Sequence, residues 1–484
     1  MISRRMSSCT RVANAVLAVS GMASLLVLLY VFYQYGWTAQ RRFASAAGVG
    51  WYFGVPVAVA GVCFAALRLR PTQKITAAVI TLALITAVFG TEAFLSGRGS
   101  DPAGRLDKLA RLAPNGFVET RDADQVVADG RSAGVNAVPS VAPIAVPARA
   151  SASGAPAGAQ LMPLSGLAHR PAVACIDAGQ WRTFESDEHG FHNPPGLWGH
   201  VDIAAVGNSW THGFCVPSNE NYVALLRRHY PATLNLGMAA QGPLQILAIT
   251  TEYLSWLQPR IVLWFYLEGG SLAELENETK HPVLMRYLEE GFTQNLRERE
   301  GEVEEILNQY VAIQLAVDRE NRSRRKAYET SSAPVLKALK LSSLREALGL
   351  VYGADTLERV APPDLDSSLI ELLRRIITDV SSRVSAWGGT LVFVYLPIRE
   401  RYDGGNLGGA GRQRLQVLEM VRDRNIPLID LHPAFATHGD PLSLFPSPLH
   451  YHYNEAGHRV VADQVLRRIE SEQWLKLAEI NRLK

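Results

Sequence analysis

The chain has 484 residues, 48% of them hydrophobic, and a formal net charge of +2. That length exceeds one ordinary compact domain, and that apolar content can fill a core as well as membrane segments. The near-balanced charge gives no whole-chain attraction for nucleic acid, and the four cysteines (Cys9, Cys63, Cys175 and Cys215) match neither a zinc-ligand nor a CxxC redox spacing.

Three apolar runs open the chain, at about 13 to 34, 51 to 67 and 75 to 95, each free of Lys and Arg and near the ~20 residues that cross a bilayer. They predict three transmembrane helices in an anchor over residues 1–98, since a cleaved signal peptide explains only the first run. Arg4, Arg5 and Arg11 precede the first run, and Arg68, Arg70 and Lys74 separate the second from the third, against Arg41 and Arg42 in the first loop. This places the N-terminus inside a cytoplasmic (inner) membrane and, with three spans, the rest of the chain outside, in a periplasm or beyond. Arg98, Arg105, Lys108 and Arg111 argue the other way.

Residues 99–165 are rich in Ala, Pro, Gly, Val and Ser, as in Val138-Pro-Ser-Val-Ala-Pro, and read as a tether. Residues 166–484 then alternate short β-rich runs with amphipathic helical patterns, the signature of an α/β domain with a parallel sheet. The strands expected are Asp202 to Gly207, Thr233 to Leu236, Arg260 to Leu267, Thr390 to Leu396 and Ile426 to Asp430. Helices are expected near 218 to 229, 243 to 257, 366 to 387, 410 to 424 and 454 to 475. A flavodoxin-like, three-layer α/β/α arrangement follows, with sites beyond the carboxyl ends of the strands. The charged stretch at about 281–350 reads as a solvated helical insertion.

The first of these strands ends in Val206-Gly-Asn-Ser209-Trp-Thr-His-Gly213. A serine on a tight turn after a strand projects its hydroxyl beyond the sheet edge, where a base can reach it; the same serine also suits a helix N-terminus. Near the other end stands His450-Tyr-His452-Tyr-Asn454-Glu-Ala-Gly457-His458, leading into the last helix. A neutral imidazole of this kind is what a serine hydroxyl needs to become a nucleophile at neutral pH. For His212 and His458 a solvated position suffices.

The serine turn resembles the first conserved block of the SGNH (GDSL-like) hydrolases and O-acyltransferases, and the His452 run resembles their last, H-x-N-x-x-G-H. Asp187-Glu-His-Gly-Phe-His-Asn-Pro, Asn235-Leu-Gly-Met and Leu263-Trp-Phe-Tyr-Leu-Glu-Gly look like a bacterial, membrane-anchored branch, extending the likeness over roughly residues 170 to 475. The resemblance implies Ser209 as nucleophile and His452 as general base, with oxyanion donors at Ser209 and Ala240 and Gln241 as an alternative donor. No cofactor is expected, since there is no P-loop and no G-x-G-x-x-G follows an expected strand, and no metal, since the cysteines lack ligand spacing. The chain also departs from the pattern. Asn208 replaces the block's Asp, Gly270 stands where an oxyanion Asn is usual, and Leu449 occupies the place of the orienting Asp. Asp440, with Asp430 behind it, is the candidate replacement, and a Ser-His dyad held by a backbone carbonyl is the alternative.

Cys175 and Cys215 flank the first strand of the domain. Outside the cytoplasm a disulfide between them would fasten the N-terminal arm to the serine turn, worth about 3 to 5 kcal/mol in loop entropy; unpaired buried thiols are the other reading. Two functions follow: a serine-dependent esterase or O-acyltransferase acting on an acylated cell-envelope glycan or small ester, or a degenerate relative that binds glycan or a protein partner without turnover.

Overall fold

The computed structural model describes residues 2–33, 50–99, 119–146, 161–177, 180–331, 338–347, 367–403, 410–445, 452–476 and 478. The chain divides into two units, Met1–Lys108 with Arg324–Val360, and Leu109–Ser323 with Ala361–Lys484.

The first unit holds helices α1 (Ile2–Phe32), α2 (Val55–Ala66) and α3 (Pro71–Gly99). Two of them are long and apolar enough to cross a membrane, over Ser8–Phe32 and Pro71–Ser96. The expectation of three is therefore corrected to two. The middle run is a shorter apolar helix, Trp51–Ala66. At about 1.5 Å per residue it falls short of the ~30 Å of a hydrocarbon layer. It packs along α1, where the Ser24 hydroxyl donates to the Pro56 carbonyl at 2.9 Å. Glu92 of α3, fully buried, accepts the backbone N–H groups of Ser343 and Leu344 at 3.0 and 2.7 Å. It thereby caps a short helix, Ser342–Ala347, from the far end of the charged insertion.

The second unit begins inside the stretch read as a tether. Helix α4 (Ala123–Ser132) and strand β1 (Val138–Pro139) are folded there, and Val127, Val138, Val141, Ile144 and Val146 are buried in the main core. Strand β1 pairs in parallel with β2 (Pro171–Asp177), which pairs antiparallel with β3 (Gln180–Glu185), a small sheet the sequence did not announce. Cys175 of β2 is disulfide-bonded to Cys215, with Cα atoms 5.7 Å apart and a sequence separation of 40. Closing a loop of that length removes unfolded-state entropy worth about 4 kcal/mol. Replacing both cysteines by serine should lower the unfolding free energy by about that amount, read from denaturant midpoints. Equal midpoints with and without reductant would contradict it.

The main sheet is built from β4 (Ile203–Val206), β5 (Thr233–Asn235), β6 (Ile261–Leu267), β7 (Thr390–Leu396) and β8 (Leu428–Asp430). All pairs are parallel and the order is β5-β4-β6-β7-β8. Alternate residues of β6 serve two cores. Val262, Trp264 and Tyr266 join one cluster, and Ile261, Leu263, Phe265 and Leu267 the other. A strand buried on both faces must be apolar throughout, which is why these runs were readable in the sequence. Between β4 and β5 lie α5 (Ser209–His212) and α6 (Tyr222–His229); α7 (Pro243–Ile249) precedes β6 and α8 (Gly270–Glu278) follows it.

Helix α9 (Glu300–Ser331) corrects the picture of a solvated insertion, because Val303, Leu307, Tyr310, Val311 and Leu315 form a buried stripe at helical spacing. Asp124 of α4 meets Arg322 of α9 at 2.7 Å. Three longer helices follow, α10 (Ser367–Ala386), α11 (Ala410–Arg422) and α12 (Glu455–Ser471).

Candidate active site

In a sheet of this order the strand direction of growth reverses between β4 and β6, and the crevice beyond their carboxyl ends is where such folds bind ligands. Ser209 sits there, one turn past β4. Gly207 has φ 155°, and a Cβ on it would clash with the Thr211 hydroxyl and lie 2.8 Å from the Phe265 carbonyl, so the chain can turn this tightly only with glycine. Asn208 caps α5, its Oδ1 accepting the Trp210 N–H at 3.2 Å. The serine hydroxyl is left at the start of the helix, partly exposed.

His452 Nε2 lies 2.8 Å from Ser209 Oγ. The imidazole is buried, with the Trp210 ring at 4.1 Å and the Phe214 ring at 5.6 Å between centroids. The rest of the His452 motif is structural. Asn454 accepts the Gly457 N–H at 3.0 Å as the cap of α12, and Gly457 lets the Leu444 carbonyl approach closely. His458 is not solvated: it is buried, its Nδ1 accepts the Tyr222 N–H at 3.1 Å, and burial lowers its pKa to about 3.

A second tier of hydrogen bonds fixes the serine turn from below. His212, also buried rather than solvated, offers its carbonyl to His192 Nδ1 at 2.8 Å. Burial lowers the pKa of His192 to about 4 and that of His212 well below the usual imidazole value. Asn235 Nδ2 donates to the Thr211 carbonyl at 2.8 Å, and Tyr222 donates its hydroxyl proton to Thr211 Oγ1 at 2.8 Å. The Asp187 block supports this frame: buried Asp187 accepts from the N–H groups of His189 and Phe191, from Asn193 Nδ2 and from Trp198 Nε1. Asn193 in turn bonds both backbone groups of Asn235 at 2.8 Å.

The loop after β5 carries the other expected donor. Ala240 adopts φ 55°, the left-handed region where glycine is usual, so alanine keeps the conformation at a modest strain. Gln241 is buried, and its side-chain amide bonds to no other described residue. Gly270, at the place of an oxyanion asparagine, supplies no side chain and opens α8 instead.

The two candidate acids hold the following places. Asp440 is exposed, and its Oδ1 accepts the Leu442 N–H at 3.1 Å, capping the 3-10 turn Pro441–Leu444. Asp430 pairs with Arg414 and accepts the His432 N–H at 3.1 Å. Leu449 and His450 lie outside the described residues. Two carboxylates that the motif reading passed over are close to the turn. Glu274 Oε1 accepts from Asn208 Nδ2 at 3.1 Å, and Glu278 is fully buried beneath the β5 loop. No group of His, Cys, Asp and Glu among the described residues has the arrangement of a metal site.

No protein-family model and no curated protein matches the chain. Similar solved structures include a protein described as lipolytic and of the G-D-S-L family from Desulfitobacterium hafniense, with 12% identity, TM-score 0.30, and 55% of this chain and 97% of that chain covered. A lipase/acylhydrolase from Enterococcus faecalis has 12% identity, TM-score 0.31, and 56% and 96% covered. A two-domain esterase active on acetylated mannans has 12% identity, TM-score 0.29, and 56% and 50% covered.

Proposed function

We propose that this chain is a serine-dependent esterase or O-acyltransferase, with Ser209 as nucleophile and His452 as general base. The observation that carries the reading is the 2.8 Å contact between Ser209 Oγ and His452 Nε2 at the switch point of a parallel sheet. His452 takes the hydroxyl proton as Ser209 Oγ bonds the acyl carbonyl carbon. The carbonyl oxygen becomes an oxyanion held by the backbone N–H groups of Ser209 and Ala240. The imidazolium then protonates the departing alkoxide, leaving an acyl-serine. Water, or the hydroxyl of an acceptor, loses its proton to His452 as it attacks the acyl carbon, and the imidazolium returns that proton to Ser209 Oγ as the acyl–serine bond breaks. Hydrolysis and transfer differ only in that second nucleophile.

An acylated glycan of the cell envelope is the substrate class we favour. Support comes from two helices long and apolar enough to cross a membrane and from a disulfide in the domain, a bond that persists in oxidising compartments. The disulfide favours an exterior location for the domain independently of how many helices span.

The test is covalent labelling of the full-length, detergent-solubilised protein with a serine-directed fluorophosphonate. One label per chain is expected, located on Ser209 by peptide mapping and absent from Ser209→Ala. A wild-type protein that stays unlabelled would favour the binding-only reading, for which the engagement of Asp440 and Asp430 elsewhere is the supporting observation.

A further inference from the structure

Helix α8 begins where the oxyanion asparagine is missing, and it presents two carboxylates one turn apart on a single face, Glu274 and Glu278. Each ends on a different piece of the site. Glu274 Oε1 and Oε2 lie 3.1 and 3.3 Å from Asn208 Nδ2, and the same Asn208 caps the serine helix through its oxygen. Glu278 accepts the backbone N–H groups of Gly242, Leu244 and Gln245 at 2.9, 2.8 and 3.1 Å. It also accepts Gln245 Nε2 at 3.0 Å, and that same amide reaches the Ala240 carbonyl at 3.3 Å. A Cβ on Gly242 would lie 2.6 Å from Glu278 Oε2 and 2.9 Å from Glu274 Cβ, so α8 is seated directly against the loop.

This arrangement has a chemical consequence. Ala240 is held in a left-handed conformation that alanine does not favour, and the peptide carrying its N–H needs external support to keep its aim. A buried carboxylate collecting four N–H donors around it is a stiff support, because each released donor would be left without water to bond. Asn208 matters for the same reason on the other side, since a serine turn displaced relative to the β5 loop separates the nucleophile from its oxyanion donors.

We propose that Glu274 and Glu278 are positioning residues that together set the spacing between the Ser209 turn and the Ala240 loop, replacing the support lost at Asn208 and Gly270. The proposal rests on the esterase reading of the site. Neither carboxylate touches substrate; each acts through the backbone it holds.

The experiment compares full-length wild type with Glu274→Ala, Glu274→Gln, Glu278→Ala and Glu278→Gln in hydrolysis of p-nitrophenyl acetate. Rates are normalised to the end point of fluorophosphonate labelling, so that misfolded protein does not count. Glu278→Ala and Glu278→Gln should lose about 10- to 100-fold in kcat with KM within about threefold, because the glutamine amide turns an N–H toward N–H donors. Glu274→Ala should lose about tenfold, and Glu274→Gln, which keeps an acceptor for Asn208, should stay within about threefold of wild type. Unchanged normalised kcat with only a lowered Tm would reduce both residues to ordinary stabilising contacts and overturn the proposal. Amide hydrogen exchange gives a reading that needs no turnover. Protection at residues 207–213 and 238–246 should fall in Glu278→Ala while β7 is unaffected, and unchanged protection there would overturn the brace even if wild type proved inert, a result that by itself counts against the esterase reading alone.

Discussion

His452→Ala should lower kcat for p-nitrophenyl acetate by about a thousand- to ten-thousand-fold, with KM nearly unchanged. In the proposed mechanism the imidazole acts only as the Ser209 proton moves, so its loss removes stabilisation of the transition state and leaves ground-state binding of a small ester intact. Ser209→Ala should fall to the same floor, and the double variant no lower, since the two side chains form one unit joined by the 2.8 Å contact. Asp440→Asn separates this arrangement from a triad built on that carboxylate. With its oxygen committed to the Leu442 N–H and the residue exposed, the substitution should cost less than about tenfold. A His452→Ala protein as fast as wild type would remove the general-base role altogether.

The meeting of Ser209 and His452 was legible because both stand at the ends of particular elements, and the turn and cap residues around them are constrained by backbone geometry. Gly207, Asn208, Asn454 and Gly457 are of this kind, and each proves to serve a turn, a cap or a close approach. The strands β4, β6 and β7 were legible for a related reason, since burial on both faces leaves an almost uninterrupted apolar run, whereas β5 (Thr233–Asn235) and β8 (Leu428–Asp430) each end on a polar residue. What escaped the reading is tertiary. Glu274 and Glu278 sit in a run, Ala273-Glu-Leu-Glu-Asn-Glu278, that looks like any solvated helix surface, and only the approach of Gly242 shows that one of them is fully buried. Residues 119–146 looked like a tether because composition measures how much each side chain can bury, and it is silent about a parallel partner such as β2. The insertion looked uniform in charge, yet its first half carries an apolar stripe at helical spacing, and Ser343 and Leu344 answer to a glutamate 251 and 252 positions earlier in the chain, too far for any local pattern to reveal. The middle apolar helix failed on length alone.

Acid should destabilise the α/β domain steeply below about pH 6.5. His192, His212 and His458 are buried and neutral, with pKa values lowered to about 4, well below the usual range, and to about 3 respectively. A depressed imidazole binds its proton more readily in the unfolded chain. The stability it contributes is therefore complete above the unfolded value near 6.5 and is lost as pH falls toward the folded value. Each such group costs about 1.4 kcal/mol per pH unit, and three together about 4. Glu278 works in the opposite direction. Burial raises its pKa to about 7 despite the N–H donors around it, so the folded chain takes up that proton first and gains stability as pH falls from 7 toward 4.5. Asp187, raised by burial as well, adds to that offset at lower pH. Three histidines against one glutamate leave a net loss on the order of 3 kcal/mol per pH unit between roughly pH 6 and 4.5, a window that removes an amount approaching the whole stability of a marginal domain. Denaturant midpoints measured at pH 7, 6 and 5 should fall accordingly, and His458→Gln should show a slope shallower by one proton. A midpoint that holds constant from pH 7 to 5 would mean that these imidazoles bind protons equally well in the folded chain, and the neutral frame beneath the Ser209 turn would have to be redrawn.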